Sequence, residues 1–80
     1  MKKKVLILGG SSDIGLELAN LFINKDNYNV NLHYNSNYKA VKKIDKSCNL
    51  IKADLSYYNY KNILKKFDDN YDIIINLIGF

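Results

Sequence analysis

A short stretch near the N-terminus, Val5–Gly15, most constrains what this chain can fold into. It runs from apolar residues into Gly9 and Gly10, and then into a segment with helical spacing of apolar residues. Glycine allows the sharp turn that leads a strand into a helix, and it lets a ligand approach the backbone without meeting a Cβ atom. The first N–H groups of a helix have no partner inside the helix and carry partial positive charge. The stretch therefore predicts a strand, a glycine loop and a helix N-terminus that bind a phosphate group.

The rest of the chain alternates predicted strands with predicted helices. Strands are predicted at Lys3–Leu8, Tyr28–Asn35, Asn49–Ala53 and Tyr71–Ile78, and helices at Asp13–Lys25, Tyr38–Lys46 and Ser56–Phe67. Strands separated by helices of this length form βαβ units and a parallel sheet. We therefore expect an α/β fold in one domain over residues 1–80. It is the first β-α-β-α-β-α-β half of a three-layer, Rossmann-type doubly wound parallel sheet with strand order 3-2-1-4.

The spacing of apolar residues predicts which sides of these elements are buried. In the first helix the predicted apolar face consists of Ile14, Leu18, Leu21 and Phe22. The second strand alternates cleanly, so its tyrosine, valine and leucine side chains point to one side and its asparagine and histidine side chains to the other. His33 lies on the polar side, and we expect it to be solvated.

The last predicted strand contains the continuous apolar run Ile73–Ile75. Such a run is typical of a strand that is buried on both faces and paired on both edges. In a sheet of order 3-2-1-4 this strand would instead be an exposed edge, which invites aggregation. We therefore expect a missing neighbour, so that either the chain is a fragment or a partner covers the edge.

Composition and charge narrow the class of protein further. The chain is 48% hydrophobic and 25% charged, which is typical of a globular domain, and its net charge of +4 comes from scattered lysines without any arginine. Nucleic-acid-binding proteins usually cluster their basic residues and use arginine, so we expect no nucleic-acid partner.

Cys48 is the single cysteine, and we expect a half-buried structural thiol in a reducing compartment. The apolar run Val5–Leu8 is too short for a signal peptide or a membrane span, so we expect a cytoplasmic protein with no membrane partner. No set of residues has metal-ligand spacing.

The glycine loop resembles that of a known family. Residues Leu8–Gly15 resemble the Thr-Gly-x-x-x-Gly-Ile-Gly loop of the short-chain dehydrogenase/reductase family, with Leu8 in place of Thr and Asp13 in place of the middle Gly. In that family the loop holds the diphosphate of a dinucleotide. The resemblance implies that the cofactor-binding residues here are Gly9, Ser11, Ser12, Asp13, Ile14 and Gly15.

Three further stretches resemble the same family in the expected order. The end of the third strand resembles its adenine-binding segment, which implies that Asp54 and Leu55 contact the base; Asp54 and Ser56 could instead cap the next helix. The last strand resembles a segment ending in Asn-Asn-Ala-Gly, which implies that Asn76 and Gly79 lie near the cofactor ribose, although Asn76 could equally stabilise the sheet. The end of the second strand is similar to that of 3-oxoacyl-acyl-carrier-protein reductase-like members, which implies that the residues near the ribose are Tyr34, Asn35 and Ser36.

The same segment indicates which dinucleotide binds. An acidic residue at this place binds the ribose hydroxyls of NAD and repels the 2′-phosphate of NADP. Residues 34–39 contain no acid, and Asn35, Ser36 and Lys39 could hydrogen-bond to or neutralise a phosphate. We therefore expect NADP as cofactor, with NAD as the alternative.

The resemblance covers all 80 residues and implies an NAD(P)(H)-dependent oxidoreductase. Family members transfer hydride between the nicotinamide and a carbonyl or alcohol substrate, and we expect a homo-oligomer in the complete protein. The catalytic serine, tyrosine and lysine of the family lie beyond this part of the fold, so we assign no catalytic residue and expect the chain alone to be inactive.

The pairs Tyr38/Lys42 and Tyr57/Lys61 match Tyr-x-x-x-Lys, but they precede any substrate site and we interpret them as coincidental. Two alternatives remain: a non-catalytic dinucleotide-binding or redox-sensing module, and a ligand-free, truncated structural fragment.

Overall fold

The computed structural model describes residues 2–9, 12–44, 46–54 and 70–78. Its elements, in chain order, are β1 (Lys3–Leu8), α1 (Asp13–Ile23), β2 (Tyr28–Tyr34), α2 (Tyr38–Val41), a 3-10 turn (Lys42–Ile44), β3 (Asn49–Lys52) and β4 (Ile73–Asn76). The four strands form one all-parallel sheet in the order β3-β2-β1-β4. The predicted α/β class and strand order are therefore confirmed. The predicted helix Ser56–Phe67 lies outside the described residues, so the second helical layer stays a prediction.

Strand β1 lies at the centre of the sheet because its sequence is apolar on both faces. Val5 pairs with Val30 of β2 on one side and with Ile73 of β4 on the other. Val5, Leu6 and Ile7 are all buried, so both faces of this strand are covered. A strand paired on both edges can carry such a run, since every backbone group finds a partner in the ladders.

The core described by the structure lies on one face of the sheet. Both helices and the 3-10 turn contribute to it, and its buried members are Val5, Ile7, Ala19, Val30, Leu32, Tyr34, Val41 and Ile44. Each fully buried valine, leucine or isoleucine side chain contributes about 1.5–3 kcal/mol to folding. Burial of these side chains therefore packs the helices against the sheet, and the packed helices position the loops at the strand ends. In the described part of the chain, no helix is both long enough and apolar enough to cross a membrane.

Helix α1 begins at Asp13 as predicted, and its predicted apolar face is confirmed only in part: Leu18 and Phe22 are partly buried and pack against the core. Ile14 and Leu21 are 64% and 60% exposed, so their predicted burial is wrong. The helix instead places Gly15 and Ala19 against the sheet. Small residues allow the helix axis to approach the strands closely. Because apolar residues occupy nearly every turn of α1, their spacing alone did not select this face.

Helix α2 is shorter than the predicted helix Tyr38–Lys46. The Asn37 side chain caps its N-terminus by accepting a hydrogen bond from the Ala40 N–H at 3.3 Å. The α-helix ends at Val41, and the next residues form the 3-10 turn, a common way for a weak helix to end. Cys48 is partly buried, and its Sγ donates to the Ile44 carbonyl at 3.5 Å. The expected half-buried structural thiol is confirmed.

Strand β4 is an edge strand of the described sheet, and it is shorter than the predicted Tyr71–Ile78. Just before the strand, the Lys4 backbone N–H donates to the Asp72 carboxylate at 2.8 Å, and the Asp72 N–H donates to the Lys4 carbonyl at 2.9 Å. The carboxylate takes the place of a ladder acceptor, so the strand begins at Ile73, two residues later than predicted. Ile74 is 60% exposed, so the run is not buried on both faces among the described residues. A neighbour on its far edge stays a prediction.

Candidate binding site at the carboxyl edge of the sheet

The predicted site residues follow the carboxyl ends of the strands. Because all four strands are parallel, these ends meet at one edge of the sheet. The structure brings together, at this edge, the residues after β1, β2, β3 and within β4, namely Gly9, Ser12, Asp13, Ile14, Gly15, Tyr34, Asn35, Ser36, Asp54 and Asn76. The other predicted site residues, Ser11, Leu55 and Gly79, lie outside the described residues.

Gly9 makes the turn at the end of β1, and its backbone angle requires glycine. Its φ is +81°, in the left-handed region that residues with a Cβ atom rarely adopt. A Cβ atom there would lie 3.2 Å from Ile78 Cγ1 and 3.3 Å from both the Ile78 nitrogen and the Leu77 carbonyl carbon. The turn after β1 thus contacts the segment after β4 directly. The Leu77 N–H also donates to the Leu8 carbonyl at 2.9 Å, which holds the two segments together.

Ser12 connects this turn to the N-terminus of α1. Its Oγ accepts the Gly15 N–H at 3.1 Å, its carbonyl accepts the Leu16 N–H at 3.0 Å, and its hydroxyl donates to the Gly9 carbonyl at 3.3 Å. Ser12 is therefore an N-cap. Among the described residues, the cap does not use the N–H groups of Asp13 and Ile14, which belong to the first helical turn, where an anion can bind.

Asp13 gives this helix end a mixed electrostatic character. Its side chain is exposed in the first turn of α1, where a negative charge interacts favourably with the helix dipole. The same carboxylate repels any phosphate that approaches the first-turn N–H groups. The helix end therefore offers donors to an anion while a neighbouring charge weakens the attraction.

Asn76 shapes the segment after β4. Its Oδ1 accepts the Ile78 N–H at 3.0 Å, as in an Asx turn. This hydrogen bond turns the chain so that Ile78 lies against Gly9. The observed role of the Asn76 side chain is therefore structural, but it lies in the turn after the strand, whereas the alternative expected from the sequence was stabilisation of the sheet. Contact of Asn76 with a ligand stays a prediction.

The three predicted residues at the end of β2 differ in exposure. The Tyr34 side chain is buried in the core, with its ring centroid 6.2 Å from that of Tyr38, and its carbonyl accepts the Ala53 N–H at 3.0 Å. Asn35 and Ser36 are exposed. Of the three, only these two therefore have exposed side chains. Asp54 is also exposed, directly after the buried Ala53.

His33 is the residue that the sequence interpretation missed. It is only 3% exposed, so the expected solvated histidine is wrong. Its Nδ1 accepts the Gly9 N–H at 3.0 Å, and its Nε2 lies 2.7 Å from the Ala53 carbonyl oxygen. An amide N–H can only donate, so Nδ1 is the acceptor, and Nε2 carries the hydrogen and donates to Ala53. The ring thus joins the segments that follow β1 and β3.

Asn31, two residues earlier on the same side of β2, forms a similar bridge. Its Nδ2 donates to the Val5 carbonyl at 3.3 Å, and its Oδ1 accepts from the Asn49 side chain at 3.1 Å. Asn31 is also buried. The polar side of β2 is therefore internal and hydrogen-bonded at Asn31 and His33. A polar residue in a central strand needs a partner, and this signal could have identified both residues.

No protein-family model matches this sequence, and no curated protein sequence matches it.

Proposed function

We propose that this chain binds a dinucleotide at the carboxyl edge of its sheet and forms the cofactor-binding part of an oxidoreductase of the short-chain dehydrogenase/reductase type. One observation carries the proposal. From β1 the chain continues to β2 and β3 on one side, whereas β4 lies on the other side. Ligands of open parallel sheets bind where the strand order reverses in this way. Gly9, in its left-handed turn against Ile78, lies at this point.

The residues at the edge fit the chemistry of a dinucleotide. The N–H groups of Asp13 and Ile14 would hold the diphosphate, as helix N-termini do in other nucleotide-binding proteins. Asp54 would accept a hydrogen bond from the amino group of adenine. Asn35 and Ser36, both exposed, would contact the ribose.

NADP(H) is the dinucleotide that these residues favour. Residues 34–39 contain no carboxylate that could bind the two ribose hydroxyls of NAD(H), and the exposed Lys39 adds a positive charge three residues after Ser36. When bound, NADPH supplies a hydride for reduction of a carbonyl substrate, while this chain binds and orients the cofactor. A non-catalytic binding module would share this binding step, whereas a ligand-free fragment would lack it.

Titration of the 80-residue chain with NADPH and NADH tests the proposal. We expect saturable binding in calorimetry, tighter for NADPH by about tenfold. A charge-assisted hydrogen bond to the 2′-phosphate contributes about 1.5–3 kcal/mol, and about 1.4 kcal/mol corresponds to a tenfold change in affinity. Absence of saturable binding by a folded chain would overturn the proposal. Equal or tighter binding of NADH would overturn the preference for NADP(H) alone.

Replacement of Asp13 tests whether the helix N-terminus holds the diphosphate. We expect Asp13→Asn to bind NADPH more tightly by roughly threefold to tenfold, since removing a repulsive surface charge a few ångströms away is worth about 1 kcal/mol. Glu17→Gln is the matched control, because Glu17 is exposed on the same helix and its loss changes the net charge equally. An equal gain in both variants would indicate a net-charge effect and contradict the assignment.

A further inference from the structure

We propose that His33 is a positioning residue of this site, which sets the distance between the phosphate-binding turn at Gly9 and the adenine-binding segment at Ala53 and Asp54. This inference rests on the proposed dinucleotide binding. It assigns a role to a residue that the resemblance of motifs does not include among the cofactor-binding residues.

The position of His33 allows one side chain to reach both segments. Strand β2 lies between β1 and β3, so a side chain at its carboxyl end has one of these strands on either side. The imidazole accepts the Gly9 N–H at 3.0 Å and has its Nε2 2.7 Å from the Ala53 carbonyl oxygen. Both ring nitrogens belong to one rigid, planar group. The separation of Gly9 and Ala53 is therefore fixed by the ring itself.

Each end of this bridge continues directly into a proposed ligand contact. On one side, the Gly9 carbonyl accepts from the Ser12 hydroxyl at 3.3 Å, and Ser12 caps α1, so the turn and the helix N-terminus are joined. On the other side, Ala53 is followed by Asp54, which is exposed. A ligand that spans two subsites gains the full benefit of linkage only when the subsites are correctly spaced. A shift of His33 would therefore weaken the binding of a spanning ligand far more than the binding of either fragment.

Asn31 provides a matched comparison within the same strand. It is buried on the same side of β2 and also reaches β1 and β3, through the Val5 carbonyl and the Asn49 side chain. Its partners lie within the sheet and not in the segments that follow the strands. Loss of the Asn31 bridge should therefore lower stability without changing the spacing of the site.

The experiment compares His33→Leu, His33→Gln and Asn31→Leu in the full chain, each tested for folding by NMR. NADPH is the spanning probe, and inorganic pyrophosphate and AMP are the fragment probes. We expect His33→Leu to lose about tenfold or more in affinity for NADPH, while its affinity for each fragment changes by less than about threefold. Glutamine carries one acceptor and one donor at the end of its side chain, so His33→Gln should recover most of the NADPH affinity. Asn31→Leu should bind NADPH like the original chain.

The outcomes distinguish a failure of the proposed dinucleotide binding from a failure of the positioning role of His33. Failure of the original chain to bind NADPH would overturn the proposed function, and this inference with it. If the original chain binds and His33→Leu binds equally well, the positioning role alone is wrong. Equal losses for NADPH and both fragments would also overturn it, because they indicate general damage. Should His33→Leu not fold, His33→Asn takes its place, since its shorter amide keeps a polar group but cannot span both partners; unchanged NADPH affinity there would overturn the proposal.

Discussion

Replacing His33 with leucine should lower the free energy of unfolding by about 2–5 kcal/mol. The change removes the hydrogen-bond partner of the Gly9 N–H and of the Ala53 carbonyl, and each buried polar group left without a partner costs about 1–3 kcal/mol. For a chain of this length the whole free energy of unfolding is on the order of 4–12 kcal/mol, so the loss is a large share of it. Urea denaturation followed by circular dichroism measures the difference.

The glutamine variant separates the hydrogen bonds from the packing of the ring. His33→Gln retains an acceptor and a donor, so we expect it to lose only about 1 kcal/mol relative to the original chain. A leucine variant as stable as the original chain would contradict the prediction, since it would mean that neither bond contributes. Equal losses in both variants would assign the effect to ring packing.

Replacing Gly9 with alanine should lower the free energy of unfolding by about 2–4 kcal/mol. The left-handed backbone angle of +81° costs a residue with a Cβ atom about 1–2 kcal/mol. The new Cβ atom would also lie 3.2 Å from Ile78 Cγ1, which forces the segment after β4 to move. Thermal unfolding should show a melting temperature lower by roughly 8–32 °C, since each kcal/mol corresponds to about 4–8 °C in a domain of this size.

Gly9→Asn distinguishes the two causes. Asparagine tolerates the left-handed region better than alanine does, yet it introduces the same Cβ atom. A smaller loss with asparagine than with alanine assigns the cost to the backbone angle, and equal losses assign it to the contact with Ile78. Unchanged stability in both variants would contradict the turn geometry.

Several element boundaries could be predicted because their causes are local in the sequence, and the strand order could be predicted because alternating strands and helices favour this doubly wound arrangement. Strand β1 has the predicted bounds, since an apolar run ends at a glycine turn. Helix α1 begins where Ser12 can cap it, and this cap involves only residues three and four positions away. The carboxyl ends of parallel strands then bring the predicted residues to one edge.

The hydrogen-bond partners of His33 could not be predicted because they are distant in sequence. Alternation along β2 assigns each side chain to a side of the sheet, but it does not say whether that side is covered. Gly9 and Ala53 are 24 and 20 residues away from His33, so only the assembled sheet brings them to its ring. The same holds for Asn31, whose partner Val5 is 26 residues away. The buried side of α1 was ambiguous for a different reason, since its many apolar residues allow more than one face.

The run Ile73–Ile75 has a consequence for how strand β4 aligns with β1. If β4 shifted by one residue along β1, isoleucine would still occupy most positions of the run. The hydrophobic pattern therefore cannot by itself select the pairing register that a half-buried strand requires. The polar residues at its two ends differ, however. Asp72 is paired with Lys4 at the entry, and Asn76 turns the chain at the exit. Asp72 and Asn76 therefore fix the register of β4 against β1. The contact of Ile78 with Gly9 depends on this register.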